Sequence, residues 1–193
     1  MKKVFLIGMN RCGTKSFHEL FKESGYRSHH YSCLCKGQAT ILAQKMKENE
    51  ESFHPLLFEI DDAHVYSDMF WHREDEWIDG VKYFKKLYRE YPDSYFILQT
   101  RNMYTWLKSK RNHKKGAYIK RCCEHWNMTT DQMIDWFEKD RIEHHANVHK
   151  FFEGKENFLE FDIEKDNISD LIQFLKPSFF LDEKHWGHHG KTV

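Results

Sequence analysis

The sequence predicts an α/β fold, a single domain over residues 1–193 with a central parallel β-sheet flanked by helices. Two observations support this class. Short apolar runs alternate with amphipathic helical patterns along the chain, which is typical of parallel sheets because each crossover requires a helix. The first apolar run also leads into a glycine-containing loop that opens a helix, as in folds of the P-loop nucleotide-binding type.

The order of these patterns along the chain predicts the individual elements. Apolar runs predict four strands, at residues 3–7, 56–60, 94–100 and 158–163. A helix follows the first strand, with Phe17, Leu20 and Phe21 on one face and Gly25 at its end. Helical periodicity and caps predict further helices at residues 39–49, 77–91, 102–113, 128–152 and 168–175.

Composition narrows the functional class. Lys plus Arg total 30 and Asp plus Glu total 30, a balance that argues against nucleic-acid and membrane-surface partners. No apolar run approaches the ~20 residues of a membrane span, and the run near the start is too short for a signal peptide. We therefore expect a cytoplasmic protein with no membrane partner.

The cysteines predict neither disulfides nor a metal site. The chain has five cysteines, and an odd number does not suit a disulfide framework. His29, His30, Cys33 and Cys35 lie close in sequence, but Cys-x-Cys is not the usual zinc-knuckle spacing and no second pair follows. We expect no metal.

The loop after the first strand predicts an anion site. The glycines Gly8 and Gly13 allow close approach of the backbone, and the new helix offers free N–H groups and the positive end of its dipole. Lys15 adds a mobile charge but lies one residue later than the lysine of the Walker A pattern. In a helix, one residue is a rotation of ~100°, so Lys15 need not point where an NTPase lysine points.

A second cluster follows the third predicted strand. Arg101 stands at the carboxyl end of that strand, where ligands of parallel sheets bind. Ser109 lies eight residues further, about two turns into the next helix. The planar guanidinium of arginine suits phosphate because it donates two hydrogen bonds at once.

Together these motifs resemble those of PAPS-dependent sulfotransferases. The loop at residues 11–16 resembles their 5′-phosphosulfate loop, and the Arg101-x7-Ser109 pair resembles their 3′-phosphate site. The stretch at residues 91–101 is similar to a Tyr-Pro-x-Ser-Lys-Phe-Ile-Leu-Thr-x-Arg pattern found in one branch. The resemblance covers roughly residues 3–25 and 56–113.

The resemblance implies an activity and a set of site residues. It implies transfer of a sulfuryl group from PAPS to a hydroxyl or amine of a small-molecule or carbohydrate acceptor. This transfer releases PAP and needs no metal ion. Lys15 would stabilise the leaving 5′-phosphate oxygen. The implied PAPS-binding residues are Arg11, Cys12, Gly13, Thr14, Lys15, Ser16, Arg101 and Ser109.

The acceptor also needs a general base. In the branch that the chain most resembles, two aspartates recur in this region, and they map to Asp62 and Asp68. We favour Asp62, because it follows the second predicted strand and should reach the cleft; Asp68 is the second candidate and His64 the third.

Two other functions remain open at this stage. Residues 56–62 faintly resemble a Walker B strand, which would fit a P-loop kinase or NTPase. A non-catalytic nucleotide-binding module of the same fold is the other alternative. The tail at residues 185–191, rich in His, Gly and Lys, raises the question of whether it closes over the nucleotide.

Overall fold

A seven-stranded sheet organises the protein, which we describe from a computed structural model that covers residues 1–73 and 75–187. The strands in these residues are β1 (Val4–Leu6), β2 (Ser28–His30), β3 (Ser32–Cys35), β4 (Gln38–Ile41), β5 (Val65–Ser67), β6 (Phe70–His72), β7 (Trp77–Asp79), β8 (Tyr95–Thr100) and β9 (Phe158–Asp162). The helices are α1 (Thr14–Glu23), α2 (Leu42–Glu51), α3 (Phe84–Glu90), α4 (Met103–Asn112), α5 (Ala117–Trp126), α6 (Thr130–Phe152) and α7 (Ile168–Leu175).

The strand order of the main sheet is β4-β3-β2-β5-β1-β8-β9. The five strands from β2 to β9 in this order pair in parallel, whereas β3 and β4 extend one edge as an antiparallel hairpin. The strands β6 and β7 form a separate two-stranded sheet. The α/β class is therefore confirmed, with a parallel sheet at its centre.

The central strand β1 is buried on both faces, as expected for a parallel sheet covered by helices. Its side chains alternate between two cores: Phe5 packs in the larger one, whereas Val4 and Leu6 pack in the smaller one with α1 and α7. None of the helices in the described residues is long and apolar enough to cross a membrane.

Several predicted elements are confirmed. Strands were expected near β1, β8 and β9, and each is present. Asn102 caps α4 by accepting a hydrogen bond from the Thr105 backbone, at 3.3 Å. At the start of α6, Thr129 and Gln132 form a reciprocal capping box. The last predicted helix coincides with α7.

The strand predicted at residues 56–60 is wrong, because this segment is a series of turns. Leu56, Leu57 and Ile60 are buried while Phe58 is exposed, and side chains satisfy the backbone of this segment instead of a neighbouring strand. The Asn49 amide donates to the carbonyls of Leu56 and Phe58, at 3.0 and 2.9 Å, and the Tyr66 hydroxyl donates to Ile60 at 2.7 Å. A buried apolar run is thus compatible with turns when polar side chains can reach it.

Other boundaries also differ from the prediction. The helix expected at residues 77–91 begins only at Phe84, because residues 77–79 form β7 and a 3₁₀ turn follows. The helix expected at residues 39–49 begins at Leu42, after β4. The sequence patterns also missed α5, although Tyr118, Ile119 and Cys122 form one buried face at helical spacing. They missed the short strands β2 and β5 too, which have too few residues to show a period.

The junction between β1 and β8 depends on Gly8. Its N–H donates to Gln99 Oε1 at 2.8 Å, and Gln99 Nε2 donates back to the Gly8 carbonyl at 3.0 Å. The amide of Gln99 thereby continues the pairing beyond the end of β1. A Cβ on residue 8 would lie 2.1 Å from the Gln99 carbonyl oxygen, so only glycine fits.

We predict that Gly8→Ala destabilises the protein by about 3 kcal/mol, because the clash is with backbone that cannot rotate away. Gly25→Ala is the matched control: its Cβ would meet no atom within 4 Å, although Gly25 has a φ of +89°. The control should lose only about 1 kcal/mol through backbone strain. Urea unfolding monitored by circular dichroism measures both losses, and equal losses would contradict the steric explanation.

Candidate functional site

The carboxyl ends of the parallel strands face a cleft of about 950 Å³. The loop after β1 forms one wall, and residues that follow β2, β5, β8 and β9 complete it, together with α4 and α5. Ligands of open α/β sheets bind at this edge. The cleft is therefore the candidate functional site of the protein.

The loop between β1 and α1 has the conformation of an anion cradle. Arg11 and Gly13 both adopt left-handed backbone conformations, with φ of 68° and 74°. Helix α1 begins directly after Gly13, whose carbonyl accepts hydrogen bonds from Ser16 and Phe17 at 2.8 and 3.2 Å. The first N–H groups of a helix have no carbonyl within it to bind, so they can bind an anion at this point.

Cys12 contributes its backbone to this loop, because its side chain is buried. Burial raises the pKa of the thiol to about 11, so the thiol stays protonated at neutral pH. Trp106 fixes the same loop from α4, with its indole N–H donating to the Asn10 carbonyl at 2.9 Å.

The two predicted phosphate-binding motifs meet in the cleft. Arg11 Nε donates to Ser109 Oγ at 3.1 Å, and Arg101 Nη1 donates to the Arg11 carbonyl at 3.4 Å. Lys15 is exposed and lines the same cleft. Side chains about 90 residues apart in sequence thus surround one volume.

Glu164, which follows β9, pairs with Arg101. Its carboxylate accepts from Arg101 Nη2 at 2.5 Å and from the Asn102 backbone at 3.0 Å, and Thr105 Oγ1 also donates to it. Burial raises the pKa of Glu164, but these hydrogen bonds outweigh burial and lower it. An anion bound by Arg101 must therefore compete with this carboxylate.

Asp68 lies at the carboxyl end of β5, the strand next to β1, and lines the cleft. Burial raises the pKa of its carboxyl to about 6, against the opposing charges of His72, Arg11 and Lys110. His30, at the end of β2, lies beside it, with His30 Nε2 3.9 Å from Asp68 Oδ2. A carboxyl with a pKa near neutrality can both take up and release a proton.

Asp62 lies outside the cleft, and the reasoning that favoured it is wrong. Residues 56–60 do not form a strand, so Asp62 precedes β5 and stands at the amino edge of the sheet. There it accepts hydrogen bonds from Arg27 at 2.5 Å and from His29 at 2.7 Å. Burial raises the pKa of Asp62, but these two partners outweigh burial and lower it.

His64 also precedes β5 and does not line the cleft. Its backbone N–H donates to the Arg27 carbonyl at 2.8 Å, and its ring packs on Tyr26 and Phe179. Asp68 is thus the one of the three base candidates that the structure places in the cleft.

Sequence reasoning missed a polar network in the cleft wall that contacts the loop between β1 and α1. Lys110 is buried and donates to Asn10 Oδ1 at 2.7 Å and to the Tyr118 hydroxyl at 3.2 Å. Burial lowers the pKa of Lys110 to about 8. The Tyr118 hydroxyl also hydrogen-bonds His72 Nδ1 at 2.8 Å. Tyr118 and His72 lie on α5 and β6, two elements that were not predicted from the sequence.

The sequence also singled out a group of histidines and cysteines and the tail. His29 is engaged by Asp62, and in the described part of the chain the ligand atoms of His29, His30, Cys33 and Cys35 do not gather into a metal-binding group. At the tail, the Trp186 ring packs edge-on against Phe17, 5.1 Å between centroids. Residues 188–191 lie outside the described residues.

The comparison with known families agrees with this geometry. The family model described as a sulfotransferase domain matches residues 3–179 of the chain. A search of curated proteins finds no significant match.

We predict that Asp68→Asn stabilises the protein at neutral pH. The folded-state pKa of Asp68 lies above its ordinary value of 3.8, so ionisation opposes folding. The penalty is absent below pH 3.8, grows as the pH rises through about 6 and is complete above it. Urea unfolding above that range should show a gain of about 2 kcal/mol, which disappears in acid.

Asp62→Asn is the matched control for this measurement. The folded-state pKa of Asp62 is lowered, so its ionised form favours folding and the substitution should destabilise the protein at neutral pH. A neutral-pH loss of stability in Asp68→Asn as well would contradict the buried, unfavourable charge assigned to Asp68.

Proposed function

The chain belongs to the sulfotransferase domain family, and from this premise we propose that it transfers a sulfuryl group from PAPS to a hydroxyl or amine of a small-molecule or carbohydrate acceptor. The family match supports sulfuryl transfer in general. The identity of PAPS as the donor rests on the cleft, and PAP is the proposed product.

One observation supports PAPS as the donor more than any other. The contacts of Arg11 with Ser109 and of Arg101 with the Arg11 carbonyl join the two phosphate-binding motifs in one cleft. A nucleotide with phosphates on both its 3′ and its 5′ positions has an anion for each motif. A nucleotide with only a 5′ chain would leave the Arg101 side of the cleft without a ligand.

The charge of the cleft supports the same choice. The whole chain has a formal net charge of zero, yet cations dominate this surface. Among the described residues, the cationic lining consists of Arg11, Lys15, Arg73, Arg101, Lys108, Lys114 and Arg121. The carboxylates are Asp68 and Glu164. A cleft with this excess attracts a polyanionic ligand.

The proposed chemistry is an in-line transfer. The acceptor oxygen or nitrogen forms a bond to sulfur while the bond between sulfur and the 5′-phosphate oxygen breaks. Lys15 and the N–H groups at the start of α1 stabilise the charge that develops on the leaving oxygen. Catalysis thus comes mainly from alignment and charge stabilisation, as in phosphoryl transfer.

Asp68 is the proposed general base. It stands at the end of the strand next to β1, and its pKa of about 6 leaves it mostly ionised at neutral pH while it can still accept the proton of the acceptor. Burial and the charge of Lys15 lower the pKa of the adjacent His30 to about 4. His30 is therefore neutral at the pH at which Asp68 works, and it does not neutralise the carboxylate.

The structure weighs against the kinase or NTPase alternative. That alternative needs residues 56–62 as a strand whose acidic end reaches Mg²⁺ beside the phosphates. These residues are turns, and Asp61 pairs with Lys3 at 2.5 Å on the amino side of β1. No acid from this segment lies in the cleft lining of the described residues.

We predict that PAP binds without a metal ion and raises the thermal midpoint, with ADP weaker because it lacks the 3′-phosphate. Arg101→Ala should reduce PAP affinity by about tenfold or more, the value of a lost charged hydrogen bond. A thermal shift assay measures the midpoint, and isothermal titration calorimetry measures the affinities for PAP and ADP. The matched control is Arg27→Ala, which removes an arginine paired with an aspartate at the opposite edge of the sheet. Stabilisation by ATP–Mg²⁺ but not by PAP would refute the proposed donor.

We predict that Asp68→Asn lowers the transfer rate by about 100-fold or more, as expected for loss of a general base, while PAP still binds. The assay uses radiolabelled PAPS with a panel of phenols, amines and carbohydrates. In the wild type the rate should rise with pH through about 6, as Asp68 ionises. Asp62→Asn is the control and should retain full activity.

The same assay tests the non-catalytic alternative. PAP binding without transfer to any member of the panel would favour a binding module over an enzyme. Equal activity in Asp68→Asn and the wild type would instead exclude Asp68 as the base and leave the donor assignment intact.

A further inference from the structure

A cluster of possible metal ligands lies at the outer edge of the sheet. His145 and His149 are four residues apart on α6, so their side chains lie on the same face of that helix. Glu160 belongs to β9, the edge strand that this face covers. One ligand atom from each residue lies within 4.8 Å of the other two.

The residues next to these three in sequence face other parts of the protein. His144, one residue earlier, points to the other side and hydrogen-bonds the Ile7 carbonyl at 2.7 Å. Along β9, Phe161 packs in the smaller core with α1 and α7, whereas Glu160 faces α6. The helix and the strand thus bring two imidazoles and one carboxylate to a single point.

The imidazole of His145 has no conventional partner in this structure. Within the described residues, its Nε2 is buried without a hydrogen bond. Its Nδ1 is 3.8 Å from Glu160 Oε1, beyond hydrogen-bond distance. An ion between this Nδ1 and the Glu160 carboxylate would bridge the gap that a hydrogen bond cannot.

The distances suit a small divalent ion. Two ligands each ~2.1 Å from a tetrahedral ion lie ~3.4 Å apart. His149 Nε2 is 3.1 Å from Glu160 Oε2, and the His145–Glu160 distance of 3.8 Å is slightly longer than that value. Two imidazoles and a carboxylate are a ligand set that zinc and related transition metals prefer over magnesium or calcium.

We propose that His145, His149 and Glu160 bind a divalent transition-metal ion, with zinc as the reference ion and water at the remaining position. None of the three residues lines the nucleotide cleft. The ion would tie α6 to the edge strand β9, which leads into Ile163 and Glu164 at the cleft wall. Its role is thus structural and separate from the proposed sulfuryl transfer.

Zinc titration of the chelator-treated full chain tests this proposal. Isothermal titration calorimetry with zinc chloride should give one high-affinity equivalent, and zinc should raise the thermal midpoint. Glu160→Gln and His149→Gln should each weaken zinc binding by at least about tenfold. Mutation of a residue that only hydrogen-bonds a metal ligand already costs about that much, so loss of a ligand itself should cost no less. Circular dichroism without zinc checks that both variants fold; His149 and Glu160 are exposed, so we expect that they do.

Two controls separate this cluster from incidental binding. Glu143→Gln removes an exposed glutamate from the same helix and should leave zinc affinity unchanged. The variant with His188→Ala and His189→Ala removes two histidines from the tail and should also retain the high-affinity equivalent. The proposal is overturned if the wild type binds no zinc or if Glu160→Gln binds zinc as tightly as the wild type. It is also overturned if the tail variant no longer binds one zinc ion with high affinity.

Discussion

The contact between Gly8 and Gln99 is the constraint on which the rest of the site depends. The amide of Gln99 forms two hydrogen bonds with the backbone of Gly8, at a separation that leaves no room for a Cβ. One partner opens the loop to α1, and the other lies two residues before Arg101. This contact therefore fixes the distance between the two proposed anion-binding motifs, on which their other contacts in the cleft depend.

Electrostatics then divides the sheet into two different edges. At the amino edge, carboxylates such as Asp61 and Asp62 are paired with cations and serve the fold. At the carboxyl edge, cations outnumber carboxylates, and Asp68 is held where burial opposes its charge. Unfavourable burial of a carboxylate is costly for stability, and such groups concentrate at functional sites. Two aspartates six residues apart thus have opposite physical roles.

The cleft wall opposite the phosphate loop adds a second buried network. Lys110 is enclosed by aromatic rings, with its ammonium 4.2 Å from the centroid of Phe137, and it also bonds Asn10 in the loop. Through Tyr118 and His72, this network links α5 and β6 to the loop. The wall formed by α5 and β6 is thereby coupled to the loop between β1 and α1 by hydrogen bonds and not only by packing.

The sequence by itself determined the fold class, the glycine loop that opens α1 and the long capped helix α6, and it singled out Arg101 and Ser109 as candidate site residues. These features depend on local chemistry, namely glycine conformation, caps and a sustained helical period, which a short window of sequence contains. Only the tertiary structure decided which aspartate reaches the cleft. Leu56, Leu57 and Ile60 are buried, and burial alone cannot distinguish a strand from turns whose carbonyls are satisfied by Asn49 and Tyr66. The partners of short strands such as β2 and β5 are likewise distant in sequence, so their pairing, and with it the position of Asp68 and His30, exists only in the folded chain.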